Sequence, residues 1–221
     1  MSSILNFTKE QQTRIMLMQG IAKVITAQKR ENFVLKGGTG LLLAYNLDRY
    51  SEDLDYDGKD RNIDLTGDIQ KGAKNVDVEI KEIILAKNTG TVKRYKIHYA
   101  DSEYDPLKLE ISYRDNIDEK DVTVINEIRV YNISKLTELK TNAFINRLSA
   151  RDIYDVGFLL QEYGAKIEKE TLEKISNKIS EVGITTLSAI MGQDKLISLY
   201  DTDEITLNLE ERVNHLLKYI K

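Results

Sequence analysis

The chain has no cysteine, two histidines and a single proline among its 221 residues. Without cysteine there are no disulfides and no thiolate metal sites. His98 and His215 lie far apart in the sequence, which argues against a histidine-rich zinc site. Any bound metal would be held by oxygen ligands, a donor set that favours a hard cation such as magnesium. No apolar run reaches the length of a membrane span. The N-terminus MSSILNFTKEQQTRIMLMQG also lacks a charged segment followed by an apolar core and a cleavage site. The expectation is a cytoplasmic protein with no membrane partner. Basic residues are not in excess: 32 Lys and Arg against 36 Asp and Glu give a net charge of -4. A protein held to nucleic acid mainly by non-specific phosphate contacts is usually basic, so nucleic-acid binding here would need a local basic face.

What is present suits a core-forming chain, 41% hydrophobic and 31% charged, long enough for one large domain or two small ones. Residues 9–31 predict a helix, with Ile15, Met18, Ile21, Ala22 and Ile25 at helical spacing. Thr8 is placed to cap it, with Gln11 three positions later. Phe33-Val34-Leu35 predicts a short strand ending in a Gly37-Gly38 turn, followed by a mostly apolar helix from Thr39 to Leu47. Asp53-Leu54-Asp55-Tyr56-Asp57 alternates as a strand with one polar face does. A short helix is expected within 60–74, then strands near 76–86, 92–100 and 107–114, with a hairpin turn at Lys87–Gly90. Pro106 stands at the start of the last of these strands, where a missing donor costs little. In that strand Leu107, Leu109 and Ile111 face one way, Lys108, Glu110 and Ser112 the other. From about residue 134 the pattern is helical: Ser134 to Arg147, Arg151 to Tyr163 with Gly164 ending it, then 168–182, 184–191 and 203–220. The expected fold class is α+β. Residues 1–130 form a mixed sheet with flanking helices, and residues 131–221 form a C-terminal helical bundle.

The chemistry concentrates in Lys36-Gly37-Gly38-Thr39 and Ser51-Glu52-Asp53-Leu54-Asp55-Tyr56. Two glycines after a strand let backbone approach a ligand closely. The helix behind them presents free N–H groups and a positive dipole end suited to phosphate. Asp53 and Asp55, two apart on a strand, project from one face as a divalent-cation clamp. Phosphoryl transfer uses such ions to neutralise charge and align the attacking and leaving oxygens. Taken singly, a Gly-Gly turn is usually only a turn, and Asp-x-Asp usually a solvated strand edge. The 14 residues between Gly38 and Asp53 leave room for one helix and a return strand, which sets the two features side by side.

These residues resemble the signature of the nucleotidyltransferase superfamily: an apolar residue, Gly, Gly or Ser, a helix-length gap, then Asp-apolar-Asp-apolar. The wider wording LKGGTGLLLAYNLDRYSEDLDY is similar to that of the AbiEii/AbiGii toxin family. Its members are toxins of bacterial type IV toxin–antitoxin and phage-abortive-infection systems, and the MenT toxins share their architecture. A lysine on one helix and an Arg-Asp-x-x-Asp segment on the next are matched by Lys140, in KLTELKTNAFINR, and by Arg151-Asp152-Ile153-Tyr154-Asp155. The resemblance spans about residues 33–163. It implies an NTP-dependent, pyrophosphate-releasing nucleotidyltransferase with a helical half that contributes to the active-site cleft. Gly37, Gly38 and Thr39 would hold nucleotide phosphates, with Ser51 near the nucleotide. Asp53 and Asp55 would bind Mg2+. Lys140 would contact the triphosphate, and Asp152, with Asp155, would complete the catalytic site. It further implies RNA, particularly tRNA, as acceptor, and a separately encoded antitoxin as partner.

Each remaining candidate carries a plainer alternative. Glu110 fits the third carboxylate that superfamily enzymes place on a later strand, often as the base that deprotonates the acceptor hydroxyl. It equally fits a surface position on an alternating strand, with Asp101, Glu103 and Asp105 as nearby competitors. Lys140 reads as a solvated helix residue without the resemblance. Asp152 and Asp155 sit where acids stabilise a helix N-terminus, and Arg151 is placed to pair with either of them or with a phosphate. Lys87, Lys93, Arg94 and Lys96, interleaved with Tyr95 and Tyr99, suit either RNA guidance by phosphate contact and stacking or a solvated hairpin. Nothing marks His98 as catalytic. Two other functions stay open: transfer to a small molecule or a protein, and an inactive nucleotide- or partner-binding module.

Overall fold

In the computed structural model, residues 7–29, 31–99 and 105–219 are described. The chain divides into two compact units, residues 1–132 and 133–221. Asp101 and Glu103 lie outside the described residues.

The first unit opens with α1 (Lys9–Lys29). Its start is a reciprocal capping box: the Thr8 N–H donates to Gln11 Oε1 at 3.0 Å, and the Gln11 N–H donates to Thr8 Oγ1 at 3.2 Å. One face of α1 buries Leu17, Met18, Ile21, Ala22, Val24 and Ile25. Each Leu or Ile of this kind stabilises the fold by about 1.5–3 kcal/mol relative to exposure. The helix packs against α3 (Thr66–Lys74). Gly20 and Gly72 allow the close crossing: a Cβ on Gly72 would stand 2.5 Å from Ile21 Cα, and one on Gly20 would stand 2.4 Å from the Gly72 carbonyl.

Seven strands form one mixed sheet. They are β1 (Phe33–Lys36), β2 (Leu54–Gly58), β3 (Ile80–Asn88), β4 (Val92–Tyr99), β5 (Leu107–Ser112), β6 (Val122–Ile125) and β7 (Ile128–Tyr131). Their order is β3-β4-β5-β2-β1-β7-β6. The β2–β5 and β1–β7 pairs are parallel and the others antiparallel. Alternation sorts the faces. Phe33, Leu35, Leu54, Tyr56, Leu107, Leu109 and Ile111 are buried on one side. Lys36, Asp55, Asp57, Lys108 and Glu110 come from the intervening positions and face the other. α2 (Gly37–Tyr45) follows β1 with no intervening loop and ends at Asn46, in left-handed conformation at φ 59°.

Two sequence expectations are corrected. α2 begins at Gly37 rather than Thr39: Lys36 is extended at the N-cap, and Gly37 makes the turn into the helix at φ +73°, a conformation free of steric cost only for glycine. The β6–β7 hairpin was not foreseen. Its two turn residues, Asn126 and Glu127, both have positive φ (51° and 65°), as a tight primed turn requires. Asn-Glu lacks the glycine that usually signals such a turn, yet VTVI and IRVY alternate on either side of it. Asn126 Nδ2 donates to the Leu43 carbonyl, which fixes the hairpin to α2.

The second unit is helical: α4 (Ile133–Asn146), α5 (Ala150–Tyr163), α6 (Lys169–Val182), α7 (Ile184–Gly192) and α8 (Thr202–Tyr219). Leu148 sits at φ 50° in the link between α4 and α5, a costly conformation for a branched aliphatic residue. Ser149 then caps α5 by accepting the Asp152 N–H. Leu172, Ile175 and Ile179 are buried from α6, Leu187 and Met191 from α7, and Leu209 and Val213 from α8.

Candidate active site

On the polar face of the sheet the register sets a transverse row of charges. Lys36 lies opposite Asp55, Asp55 opposite Glu110, and Glu110 opposite Arg94. Neighbouring carboxylates at strand spacing repel, and cations offset them one by one. Lys108 Nζ lies 2.5 Å from Asp53 Oδ2, Arg94 Nη2 lies 2.5 Å from Glu110 Oε2, and Lys36 Nζ lies 2.5 Å from Asp57 Oδ1. Tyr131 Oη donates to the other oxygen of Asp57 at 2.9 Å.

Asp55 is the exception. It lies in the middle of the row and makes no hydrogen bond or ion pair among the described residues, with Lys108 and Lys36 acting on it only through space. Burial pushes its pKa above the ordinary 3.8, and the neighbouring charges of Asp53 and Glu110 push the same way. A largely buried carboxylate beside a second one, with no cation of its own, is suited to a divalent ion. Among the described residues no three acidic or imidazole side chains converge into a ready-made cage. One or two carboxylates, with water and substrate phosphates for the rest of the shell, are the donor set that Mg2+ commonly takes. Lys108 remains protonated. Burial lowers its pKa, but the bond to Asp53 and the fields of Asp53, Asp55 and Glu110 outweigh that, and the net shift is upward.

The glycine turn lies directly beside these carboxylates. A Cβ on Gly37 would come within 3.4 Å of Asp55 Oδ2. A Cβ on Gly38 would lie 2.8 Å from Arg49 Nη2 and 3.0 Å from Ser51 Oγ. The first N–H groups of α2 have no intrahelical acceptors and emerge at this turn. Thr39 is buried, with Oγ1 2.8 Å from Ser51 Oγ and donating to the Asp53 carbonyl. It thus ties the first turn of α2 to the segment that carries the aspartates. Arg49 was not singled out from sequence. Its guanidinium is buried against Gly38 and donates to the Tyr50 carbonyl at 2.8 Å. The signal was present: it is the one cation in the loop between the glycines and the aspartates.

The basic hairpin does not present the stacking surface that its wording suggested. Lys93 is buried and donates to the carbonyls of Arg61 and Ile63 at 2.7 and 2.9 Å. Tyr95 is buried and bonds Asp64 and the Leu65 N–H, and Tyr99 is buried and accepts from Arg14. Lys87 and Lys96 stay exposed. Asp105 precedes β5 and is engaged through its carbonyl by Arg14.

In the helical unit Lys140, Asp152 and Asp155 form one buried cluster. Lys140 Nζ stands 2.5 Å from Asp155 Oδ2 and 3.7 Å from Asp152 Oδ1. Asp152 also receives Arg147 Nε at 2.6 Å, Arg147 Nη2 at 2.8 Å and Ser149 Oγ at 2.6 Å. Burial raises the Asp152 pKa, but these hydrogen bonds and the Lys140 charge overcome that, and the net value is below the ordinary 3.8. Lys140 is therefore not a solvated helix residue. Arg151 pairs with Asp194 at 3.5 Å.

The model of the nucleotidyl transferase AbiEii toxin family, type IV toxin–antitoxin system, matches residues 22–214. The chain belongs to this family. It is accordingly a nucleotidyltransferase of the toxin type, and type IV membership implies an antitoxin partner. JHP933 from Helicobacter pylori is 29% identical and superposes with a TM-score of 0.84, over 96% of this chain and 94% of its own. MenT4, a nucleotidyltransferase toxin from Mycobacterium tuberculosis, is 12% identical and shares the fold at a TM-score of 0.55, over 97% of this chain and 87% of its own. No curated protein sequence matches the chain. No helix among the described residues is long and apolar enough to cross a membrane.

Proposed function

We propose that this AbiEii-family protein transfers a nucleoside monophosphate from an NTP to an RNA hydroxyl, with tRNA the leading acceptor, in a Mg2+-dependent reaction that its cognate antitoxin restrains. The observation that carries the reading is the Asp55 carboxylate, unpartnered among the described residues, beside Asp53 and set against the Gly37-Gly38 turn. The first N–H groups of α2 and the Gly37-Gly38 backbone receive the phosphates, with Ser51 and Thr39 fixing the turn. Asp53 and Asp55 hold the ion, which when bound neutralises charge on the transferring phosphoryl group and on the departing pyrophosphate. The acceptor oxygen attacks the α-phosphorus, the α–β anhydride bond breaks and pyrophosphate leaves. Glu110, oriented by Arg94, takes the hydroxyl proton. Lys140, a triphosphate contact by the family resemblance, is held by Asp155 within the helical unit. Asp152, gripped by Arg147 and Ser149, keeps the lysine's surroundings anionic and ordered. A cytoplasmic site of action goes with the proposed NTP and RNA substrates.

The RNA acceptor is what the resemblance drawn from the sequence motifs implies, and the exposed Lys87 and Lys96 are compatible with it. The net charge of -4 and the internal engagement of Lys93 favour, as a second reading, a protein or small-molecule acceptor. Incubating the protein with each α-labelled NTP, Mg2+ and either total RNA or an RNA-free lysate fraction separates the two. Label on tRNA-sized RNA supports the proposal, and label confined to protein or small molecules defeats the RNA claim.

A further inference from the structure

The polar face of the sheet carries four carboxylates, Asp53, Asp55, Asp57 and Glu110, and three of them are matched by a cation. The pairings differ in kind. Asp57 is buried and held from both sides by Lys36 and Tyr131, a fixed structural bond. The Lys108–Asp53 pair is more open, with side chains 35% and 30% exposed, and pairs of that sort contribute little to stability. Lys108 also lies opposite Lys96 across β4 and β5, an arrangement that drives the two ammonium groups apart. Lys108 Nζ therefore stands at an Asp53 oxygen where a divalent ion shared with Asp55 would bind.

We infer that Lys108 is a resident counter-ion of Asp53 that the divalent ion displaces, and that the released ammonium passes to the nucleotide phosphates. The inference rests on the metal-binding reading of Asp53 and Asp55. Its physical basis is charge balance. A dication outcompetes a monovalent ammonium for a carboxylate pair. Once it has done so, Asp53 and Asp55 no longer attract Lys108, Glu110 already holds Arg94, and the ammonium is left to the phosphate chain that the proposed function seats over the glycine turn. Lys108 then opposes metal binding in the absence of nucleotide and favours it in the presence of nucleotide. This is a linkage between the two ligands through one side chain.

The test is binding of Mn2+, followed by the electron paramagnetic resonance of the free ion, to the full chain as wild type, Lys108→Met and Lys108→Arg. Asp55→Asn serves as the blank. Binding of an α,β-methylene ATP analogue is measured in parallel at saturating Mg2+. Lys108→Met is expected to bind Mn2+ about tenfold more tightly than wild type without nucleotide and to bind the analogue about tenfold more weakly. Lys108→Arg should behave as wild type in both. Unchanged or weaker Mn2+ affinity in Lys108→Met overturns the displacement, and unchanged analogue affinity overturns the transfer to phosphate. If neither wild type nor Lys108→Met binds Mn2+ above the blank, the metal-binding reading of Asp53 and Asp55 fails and this inference fails with it.

Discussion

Replacing Asp155 isolates what the buried cluster of the helical unit contributes. Its carboxylate is fully buried and lies 2.5 Å from Lys140 Nζ, whose own side chain is 9% exposed. Asn at 155 keeps the shape and one acceptor oxygen but removes the charge. A charge-assisted hydrogen bond becomes a weaker one, a loss of about 1–2 kcal/mol. Ala at 155 removes the acceptor altogether and leaves a buried ammonium with the Asp152 carboxylate 3.7 Å away. Removing one member of a buried ion pair costs about 3–5 kcal/mol. For a chain of this size, about 2–4 °C of melting temperature corresponds to each kcal/mol. Asp155→Asn should therefore melt about 5 °C below wild type and Asp155→Ala about 10 °C or more below, followed by far-UV circular dichroism. The double variant Lys140→Met/Asp155→Leu should recover most of the loss, because an apolar replacement of both partners leaves no unpaired charge. The reasoning is refuted if Asp155→Ala melts within a degree of wild type. It is refuted equally if the double variant is as unstable as the sum of its single substitutions.

Two further perturbations test other parts of the structure. Gly72→Ala places a Cβ 2.5 Å from Ile21 Cα, and backbone overlap of this kind should outweigh the roughly 1 kcal/mol gained in helix propensity, for a net loss of about 1–2 kcal/mol. Gly67→Ala in the same helix meets nothing within 4 Å and should be neutral or stabilising by up to about 1 kcal/mol. Equal urea midpoints for the two variants would contradict the close crossing of α1 and α3. In acid, the Asp152 pKa lies below the ordinary 3.8 in the folded state. Its contribution is thus fully present above the unfolded value and is lost as pH falls through the folded one. Asp152→Asn should flatten the acid limb of the stability–pH curve below about pH 4, and an unchanged limb would show that Asp152 does not contribute to it.

Much of this architecture is legible in the residues, for reasons that are local. Thr8 and Gln11 announce a helix start because a capping box needs only two side chains three apart. Leu107, Leu109 and Ile111 mark a strand face because the side-chain period is two. Asp53 and Asp55 could be assigned to one face on the same ground. The β6–β7 hairpin was not legible, because Asn126-Glu127 adopts its positive φ values without the glycine that normally advertises them. Register was out of reach as well. Nothing in the wording shows that Lys36, Asp55, Glu110 and Arg94 fall in one row, since that depends on strands far apart in sequence. Long-range burial likewise decided Tyr95, Tyr99 and Lys93. Their spacing suited RNA, while Asp64, Arg14 and the 61–63 loop hold them inside.

Asp55 carries the central claim, and its lack of an ion partner among the described residues makes Asp55→Asn an unusually clean substitution. Removing a charge that burial already disfavours should leave the melting temperature equal to or above that of wild type. The decisive measurement is transfer of label from α-labelled NTP in the presence of Mg2+, wild type against Asp55→Asn, with both proteins shown to be folded at the assay temperature. Wild type should transfer label, and Asp55→Asn should be slower by at least about 100-fold. Transfer by folded Asp55→Asn within a few-fold of wild type would contradict the account.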